Sequence, residues 1–389
     1  MDRLALAHSD RQRWSVLARI NTLSGLSQIV QIGTVTPLLS LSLERQGVAS
    51  TAIGGVVSAS WIAILLLHTL VPRLLARSGL LSANLLGAAL SIAALFGMSQ
   101  SRDLRSLFAF NFLLGAGLIL RWIACDTWIV AVAPRSSRGR AIGVHETLMG
   151  LGIAVGPLLL LVSGVDSALP YYACAALVCL SAGITLTLGK YDARPLTPVE
   201  KHRSQLFGVI PIALCGAFVA GFAETSSISF LASYSLSAGY LLAAATVLVS
   251  VFGVGGTVLQ LPIGWLADKS SYTSSQLLCG TILCLGAWLI PLSQPLPWLM
   301  SGLVFLWGGA IGGMNTLAVI EAGARVEERQ VSTAMAAIAM AYTLGSVLGP
   351  IVTGTLVARL GAPGLMVSAG LAGALFVALL SVRQARAGG

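Results

Sequence analysis

Apolar runs of about 20 residues, divided by short polar breaks, recur along almost the whole chain, and each can cross a hydrocarbon core of roughly 30 Å as a helix. The runs fall at 16–43, 51–71, 80–100, 107–133, 139–164, 168–189, 206–236, 240–266, 273–292, 297–323, 331–359 and 362–382. Inside lipid a helix satisfies its own backbone hydrogen bonds, which a lone strand or loop cannot do. The pattern therefore predicts an all-α polytopic membrane protein with 12 transmembrane helices.

Sliding the sequence against itself by 193 residues brings like residues together. Ser40, Ser42 and Leu43 fall on Ser233, Ser235 and Leu236; Gly115 falls on Gly308 and Pro170 on Pro363. Gly152, Gly156 and Pro157 fall on Gly345, Gly349 and Pro350. A shift that spans six helices keeps both copies in one orientation, so pseudo-symmetry about an axis along the membrane normal is expected. The division is an N-terminal six-helix bundle at 1–189, a linker at 190–205 and a C-terminal six-helix bundle at 206–389. The linker region, "GKYDARPLTPVEKHRSQ", carries two prolines and mixed charge and is expected along the cytoplasmic surface.

Composition narrows the class further. The 389 residues are 56% hydrophobic and 10% charged, with a mean hydropathy of +0.88, which excludes a soluble fold of two or three domains. The opening "MDRLALAHSDRQRW" lacks the short apolar segment and small-residue cleavage site of a removable signal peptide, so the first span is expected to be retained. With both termini cytoplasmic, 18 of the 23 basic residues lie inside, Arg45, Arg102, Arg105 and Arg359 lie outside, and Arg121 lies within the membrane. The net charge of +9 is thus an orientation signal, and no basic patch with interleaved aromatics points to nucleic acid. Six cysteines fall inside apolar spans without disulfide or zinc spacing and read as small core residues. No metal and no cofactor is expected.

Several motifs resemble those of the major facilitator superfamily. "LPIGWLADKS", Leu261 to Ser270, resembles that family's signature between helices 8 and 9, with Gly264, Leu266, Ala267, Asp268 and Lys269 in matching places. "GIAVGPLLL" resembles the glycine-proline motif found on helix 5 of many antiporters, and "GSVLGPIVTG" repeats it on helix 11. The order "RWIACDTW", "RGRAIGVHET", "QLPIGWLADK", "YTLGSVLGP" is most similar to the YcaD-like bacterial branch. Two features depart from the pattern: "LVPRLLARSG" lacks an acidic residue between helices 2 and 3, and Asn111 stands where helix 4 often has arginine. The resemblance implies the major facilitator fold, a cavity lined by helices 1, 4, 7 and 10, and a bacterial inner membrane location. It also implies gating roles for Asp268, Lys269, Gly152, Gly156, Pro157, Gly349 and Pro350.

Charges within hydrocarbon are costly and mark interiors or wet cavities. Asp126 lies about 12 Å from the inner end of its helix at about 1.5 Å per residue, and Glu146 reaches a similar depth on the next helix. Arg121 is about 140° around the helix from Asp126. The reading is a charge network of Arg121, Asp126 and Glu146, either switched by protons or pinning two helices together. Gly143 and Gly150 flank Glu146 at helical spacing and predict close packing of that face. His145 is a proton relay or a hydrogen-bonded interior histidine. Glu224 has no Lys or Arg in its span and is the cleaner proton-coupling candidate, or else a neutral interior acid. The repeat places Gln31 at its level.

Asn21, Ser24, Gln28 and Gln31 form a polar stripe on the first helix, where Gln28 and Gln31 are cavity candidates along with Trp128 and Asn315. Glu321 has Arg325 four residues on and reads as a local ion pair or cytoplasmic gate. Trp122 and Trp307 offer aromatic walls or packing.

These residues favour a secondary active transporter working by alternating access, with proton-coupled antiport and efflux of a small amphiphilic or drug-like compound as the leading form. Its expected partners are a small-molecule substrate, protons and membrane lipid, and the expected state is a monomer. An importer or facilitator of a small polar or anionic metabolite, anchored by Arg121, is the alternative. A non-transporting membrane sensor comes next. No phosphate-binding glycine loop and no nucleophile with a base and orienter support an ATP-driven pump or an enzyme.

Overall fold

The computed structural model describes residues 10–133, 138–192, 194–195, 209–327 and 330–387. The residues 193 and 196–208 lie outside the described residues, and with them most of the expected linker. Among the described residues, 12 helices are long and apolar enough to cross a membrane. In the first half they are α1 (Gln12–Arg45), α2 (Ser50–Leu67), α3 (Leu80–Gln100), α4 (Leu104–Val132), α5 (Arg140–Ser163) and α6 (Leu169–Leu186). In the second half they are α7 (Pro211–Ser237), α8 (Leu242–Lys269), α9 (Tyr272–Leu292), α10 (Pro297–Arg325), α11 (Thr333–Leu360) and α12 (Gly364–Arg383). The spans expected from hydropathy match these helices, with ends displaced by a few residues.

Two compact units emerge. One comprises Met1–Leu38 and Ala59–Val199, and the other Leu39–Ser58 and Glu200–Gly389. The boundary departs from the sequence repeat at one place: the end of α1, the turn after it and the start of α2 pack within the second unit. There Ser58 donates its hydroxyl to the Val347 carbonyl at 2.8 Å, beside Pro350. The missing N–H of an interior proline leaves backbone carbonyls short of donors, and a serine from a neighbouring helix is a common remedy in membrane helices.

Small residues set the tight helix pairs of each unit. In the first, a Cβ on Gly152 of α5 would lie 2.6 Å from the Gly25 carbonyl of α1 and 3.1 Å from the Gln28 Cβ, and Gly156 meets Gly33 and Ile29. In the second, Gly345 of α11 faces Phe218 and Phe222 of α7, and Gly349 faces Phe222 and Ser226. Gly25 and Phe218, Ile29 and Phe222, and Gly33 and Ser226 are each 193 residues apart. The shift that aligns the two halves in sequence therefore aligns their backbone contacts as well. These glycines, with Pro157 and Pro350 beside them, are buried; their observed work is to let helices approach.

The two pairs differ in winding. Ile29–Val35 of α1 forms a π-helical turn, whereas α7 is regular over the equivalent stretch. The Thr34 hydroxyl lies 2.7 Å from the Ile29 carbonyl, five residues back, and 2.9 Å from the Gly156 carbonyl of α5. Thr36 bonds the Gln31 carbonyl in the same five-residue pattern. Hydroxyls that occupy carbonyls of the widened turn, with Gly33 offering no side chain, account for the local rewinding. Such turns occur frequently at functional positions in helices.

The cysteines are reduced, and Cys125, Cys174 and Cys279 are buried as expected. Cys179 differs: it is exposed on the outer face of α6.

Candidate functional site

In the first unit the polar stripe of α1 turns inward against α4 and α5. Asn21, Ser24, Gln28 and Gln31 are all buried. Asn21 and Asp126 hold His145 between them: Nδ1 lies 3.0 Å from Asn21 Oδ1 and Nε2 lies 3.0 Å from Asp126 Oδ1. The His145 side chain is 3% exposed and that of Asp126 46%, so the carboxylate forms the open end of the chain of contacts. As placed, both ring nitrogens face acceptors, the arrangement an imidazolium needs. Turning the Asn21 amide over would instead suit a neutral ring.

The expected network of Arg121, Asp126 and Glu146 is resolved differently. Asp126 takes His145, and Glu146 points to the exposed face of α5. Gly143, expected to pack beside Glu146, has nothing within 4 Å of a Cβ. The packed face of α5 is the one carrying His145, Met149, Gly152 and Gly156, at spacings of four, three and four. That spacing was the available signal. Neighbours one apart on a helix diverge by about 100°, so His145 takes the packed face while Glu146 lies beside it, with its charge still within reach of Asp126.

Arg121 turns away from both acids. It is 3% exposed, donates from one terminal nitrogen to Ser91 of α3 at 3.2 Å and from the other to Ser27 of α1. Its Nε has no partner, and the Ser24 hydroxyl and Gln28 Oε1 also lack one. The three unpartnered groups share one recess, lined by Ser24, Ser27, Gln28, Leu118, Arg121, Trp122 and Met149. Ser27 and Ser91 were not foreseen, although Ser27 stands three residues after Ser24 in the same stripe.

In the second unit Glu224 of α7 is partly buried and accepts a 2.9 Å hydrogen bond from the Tyr342 hydroxyl of α11. Glu321 of α10 is 1% exposed and pairs with Arg325 Nε at 2.9 Å, the local pair that the spacing predicts. Asn315 is partly exposed on the same helix.

Two of the aromatic candidates serve packing. Trp128 is wholly buried and its indole N–H donates to the Tyr191 carbonyl at 2.9 Å, so it closes the core rather than facing open space. Trp307 does the same toward Leu283. Asp268 and Lys269 are exposed at the end of α8, with the Lys269 ammonium 3.8 Å over the Trp265 ring. An acid from beyond α6 reaches the start of α3. Asp192 accepts the Leu81 N–H at 2.9 Å, and Gly79, at φ +87°, leaves room where a Cβ would meet that carboxylate.

Duplicated six-helix halves, inward-facing polar side chains and glycine-tightened helix pairs are the features of a multi-pass membrane transporter built from two repeats. The family model "Major Facilitator Superfamily" matches residues 22–247 and 213–388, and the chain belongs to that family. Membership makes it a transporter and not an enzyme. It is similar to the uncharacterized MFS-type transporter YfkF of Bacillus subtilis, 25% identical with 88% of each chain covered. It is also similar to the uncharacterized MFS-type transporter YcaD of Escherichia coli, 26% identical over 86% of this chain and 87% of the relative. In fold it resembles the nucleoside transporter NupG, at a TM-score of 0.75 and 16% identity, covering 95% of this chain and 98% of that one. A bacterial homolog of the human lysosomal transporter Spinster, inward-facing and unoccupied, gives 0.74 at 16% identity and 96% of each chain.

Proposed function

We propose that the chain is a proton-coupled antiporter that expels a small amphiphilic molecule, acting as a monomer in a bacterial inner membrane with both termini cytoplasmic. Glu224 is the proton carrier. The observation that carries this reading is its setting: a hydroxyl partner from Tyr342, and no Lys or Arg anywhere in α7. A carboxyl in such a place is least costly to bury when protonated, and water reaching it on one side of the membrane offers the proton an exit. Antiport follows the paired glycine-proline motifs of α5 and α11, and the Asp126, His145 and Asn21 chain is a second place where a proton can be exchanged.

The test is proton movement in proteoliposomes carrying an internal pH dye, with cationic, neutral and anionic amphiphiles offered to wild type and Glu224→Gln. Substrate-driven proton flux in wild type, abolished in the variant, is the expected result. Equal, proton-independent substrate movement by both proteins would instead establish a facilitator. That second reading, import or facilitated passage of a small polar or anionic metabolite, is favoured by one observation, the buried Arg121 without a carboxylate partner.

A further inference from the structure

The cation of the first unit is built as a receptor. Guanidinium stays charged under all ordinary conditions, and burying it is costly unless a counter-charge or a full set of acceptors meets it. Among the described residues Arg121 meets two neutral serine hydroxyls and no carboxylate, and its Nε–H meets nothing. The two nearest acids in sequence on α4 and α5 are otherwise placed, Asp126 on His145 and Glu146 on the exposed face. A purely structural tie between α1, α3 and α4 would use every donor, since buried polar groups are nearly always satisfied. Here three polar groups of the same recess stand unsatisfied together: Arg121 Nε, Ser24 Oγ and Gln28 Oε1.

Their chemistry is specific. The edge formed by Nε and a terminal nitrogen of a guanidinium matches the two oxygens of a carboxylate, and a ligand taking it would displace only the Ser27 contact. Ser24 can donate to the same anion, and the Gln28 amide, turned over, presents its N–H groups. Opposite these, Leu118, Trp122 and Met149 give the recess an apolar wall. The recess is closed in this state, without room for a water, so a ligand reaches these groups only when the lining side chains part.

The geometry points to a binding site for the anionic head of an amphiphilic organic acid, with Arg121 as its anchor, Gln28 and Ser24 as orienting groups and Trp122 and Met149 against its apolar body. This inference rests on the reading of the chain as a transporter of small amphiphiles and gives that substrate its charge.

The experiment uses the full chain in lipid nanodiscs and proteoliposomes, with benzoate and hexanoate as probes and benzamide and benzylamine as neutral and cationic matches. Millimolar benzoate or hexanoate should raise the melting temperature of wild type and drive counterflow of labelled benzoate, and the two matches should not. Arg121→Gln should weaken carboxylate binding at least about tenfold. Arg121→Lys should weaken it nearly as far, because an ammonium lacks the fork. Gln28→Leu and Ser24→Ala, which leave the arginine in place, should each weaken it several-fold and guard against a folding defect in the arginine variants. Stabilisation by benzamide equal to that by benzoate, wild-type affinity in both arginine variants, or no response of wild type to either carboxylate overturns the proposal. The proton reading is judged separately by the dye signal of Glu224→Gln. Carboxylate binding that depends on Arg121 beside undiminished proton flux in that variant would sink the proton reading alone, and the reverse pattern would sink this one alone.

Discussion

The helices α1, α4 and α5 of the first unit and α7, α10 and α11 of the second descend from the same sequence pattern, yet they spend it on opposite chemistries. Asn21 and His145 of the first correspond, 193 residues on, to Leu214 and Ile338, which pack with Ala318 and Ala334 in a buried apolar cluster. Ser24, Ser27, Gln28 and Arg121 correspond to Ala217, Ala220, Gly221 and Met314. In the other direction, the pair Glu224 and Tyr342 corresponds to Gln31 and Met149, which hold no charge. One half keeps the cation and the imidazole, the other keeps the unpaired acid. The shared glycine contacts show that the scaffold is common to both. Duplication has preserved how the helices touch and divided which polar side chains they carry.

Making one half resemble the other tests this division. Replacing Arg121 by methionine, the residue its counterpart carries, should abolish benzoate counterflow, a fall of about a hundredfold or more if the carboxylate contact is bidentate. The melting temperature should hold or rise, because exchanging a buried charge for a fitting apolar side chain is often neutral or stabilising. A collapse of stability with flux intact in the surviving protein would assign Arg121 to the scaffold. Glu224→Gln, which copies Gln31 into the second half, should remove proton coupling as described while leaving the helix pair folded, since the amide can still accept from Tyr342.

The next effect concerns stability. His145→Ile alone strands the Asn21 and Asp126 side chains and should cost about 1–3 kcal/mol in unfolding measured by denaturant or heat. Adding Asn21→Leu should recover part of that loss, because the apolar pair is what the other half uses. A double variant worse than the single one would show that the two positions are not equivalent. Of similar or smaller size, Gly152→Ala should destabilise by about 1–3 kcal/mol through the Gly25 carbonyl. Gly143→Ala on the same helix should be neutral or stabilising by up to about 1 kcal/mol.

The smallest effect lies outside the membrane. Asp103 caps α4 by accepting the Ser106 N–H at 2.9 Å, and that hydrogen bond holds its carboxyl below the ordinary 3.8. A lowered carboxylate contributes stability that is present above the ordinary value and is lost as pH falls through the lowered one. Asp103→Asn should therefore lower the melting temperature slightly at neutral pH and leave it unchanged well below pH 3.8, which flattens the acid limb of the profile.

The spans, the duplication and the family were legible in the sequence because each depends on patterns many residues long. Single partners were not. Whether Asp126 meets His145 or Glu146 turns on one residue of helix rotation, and only the glycines further along α5 reveal which face is packed. Arg121 was read among acids because charge suggests charge. Its actual partners are two serines, one of them on α3, and hydroxyls leave little trace in a sequence where serine is common on every helix. The Ile29–Val35 turn likewise depends on hydroxyls of Thr34 and Thr36 choosing carbonyls five residues back, and hydropathy carries no signal for that choice. The ion pair of Glu321 with Arg325 was readable because it is local.

The segment Leu39–Ser58, which packs within the second unit, also bears on how the chain is made. Synthesis runs from the N-terminus, and domains ordinarily consolidate as they emerge. Here Ser58 bonds to a carbonyl 289 residues further along, so the early arm must wait in the membrane until nearly the last helices arrive. The arm Leu39–Ser58 cannot take its bonded place before α11 is made, so the second unit closes last on one of the earliest parts of the chain.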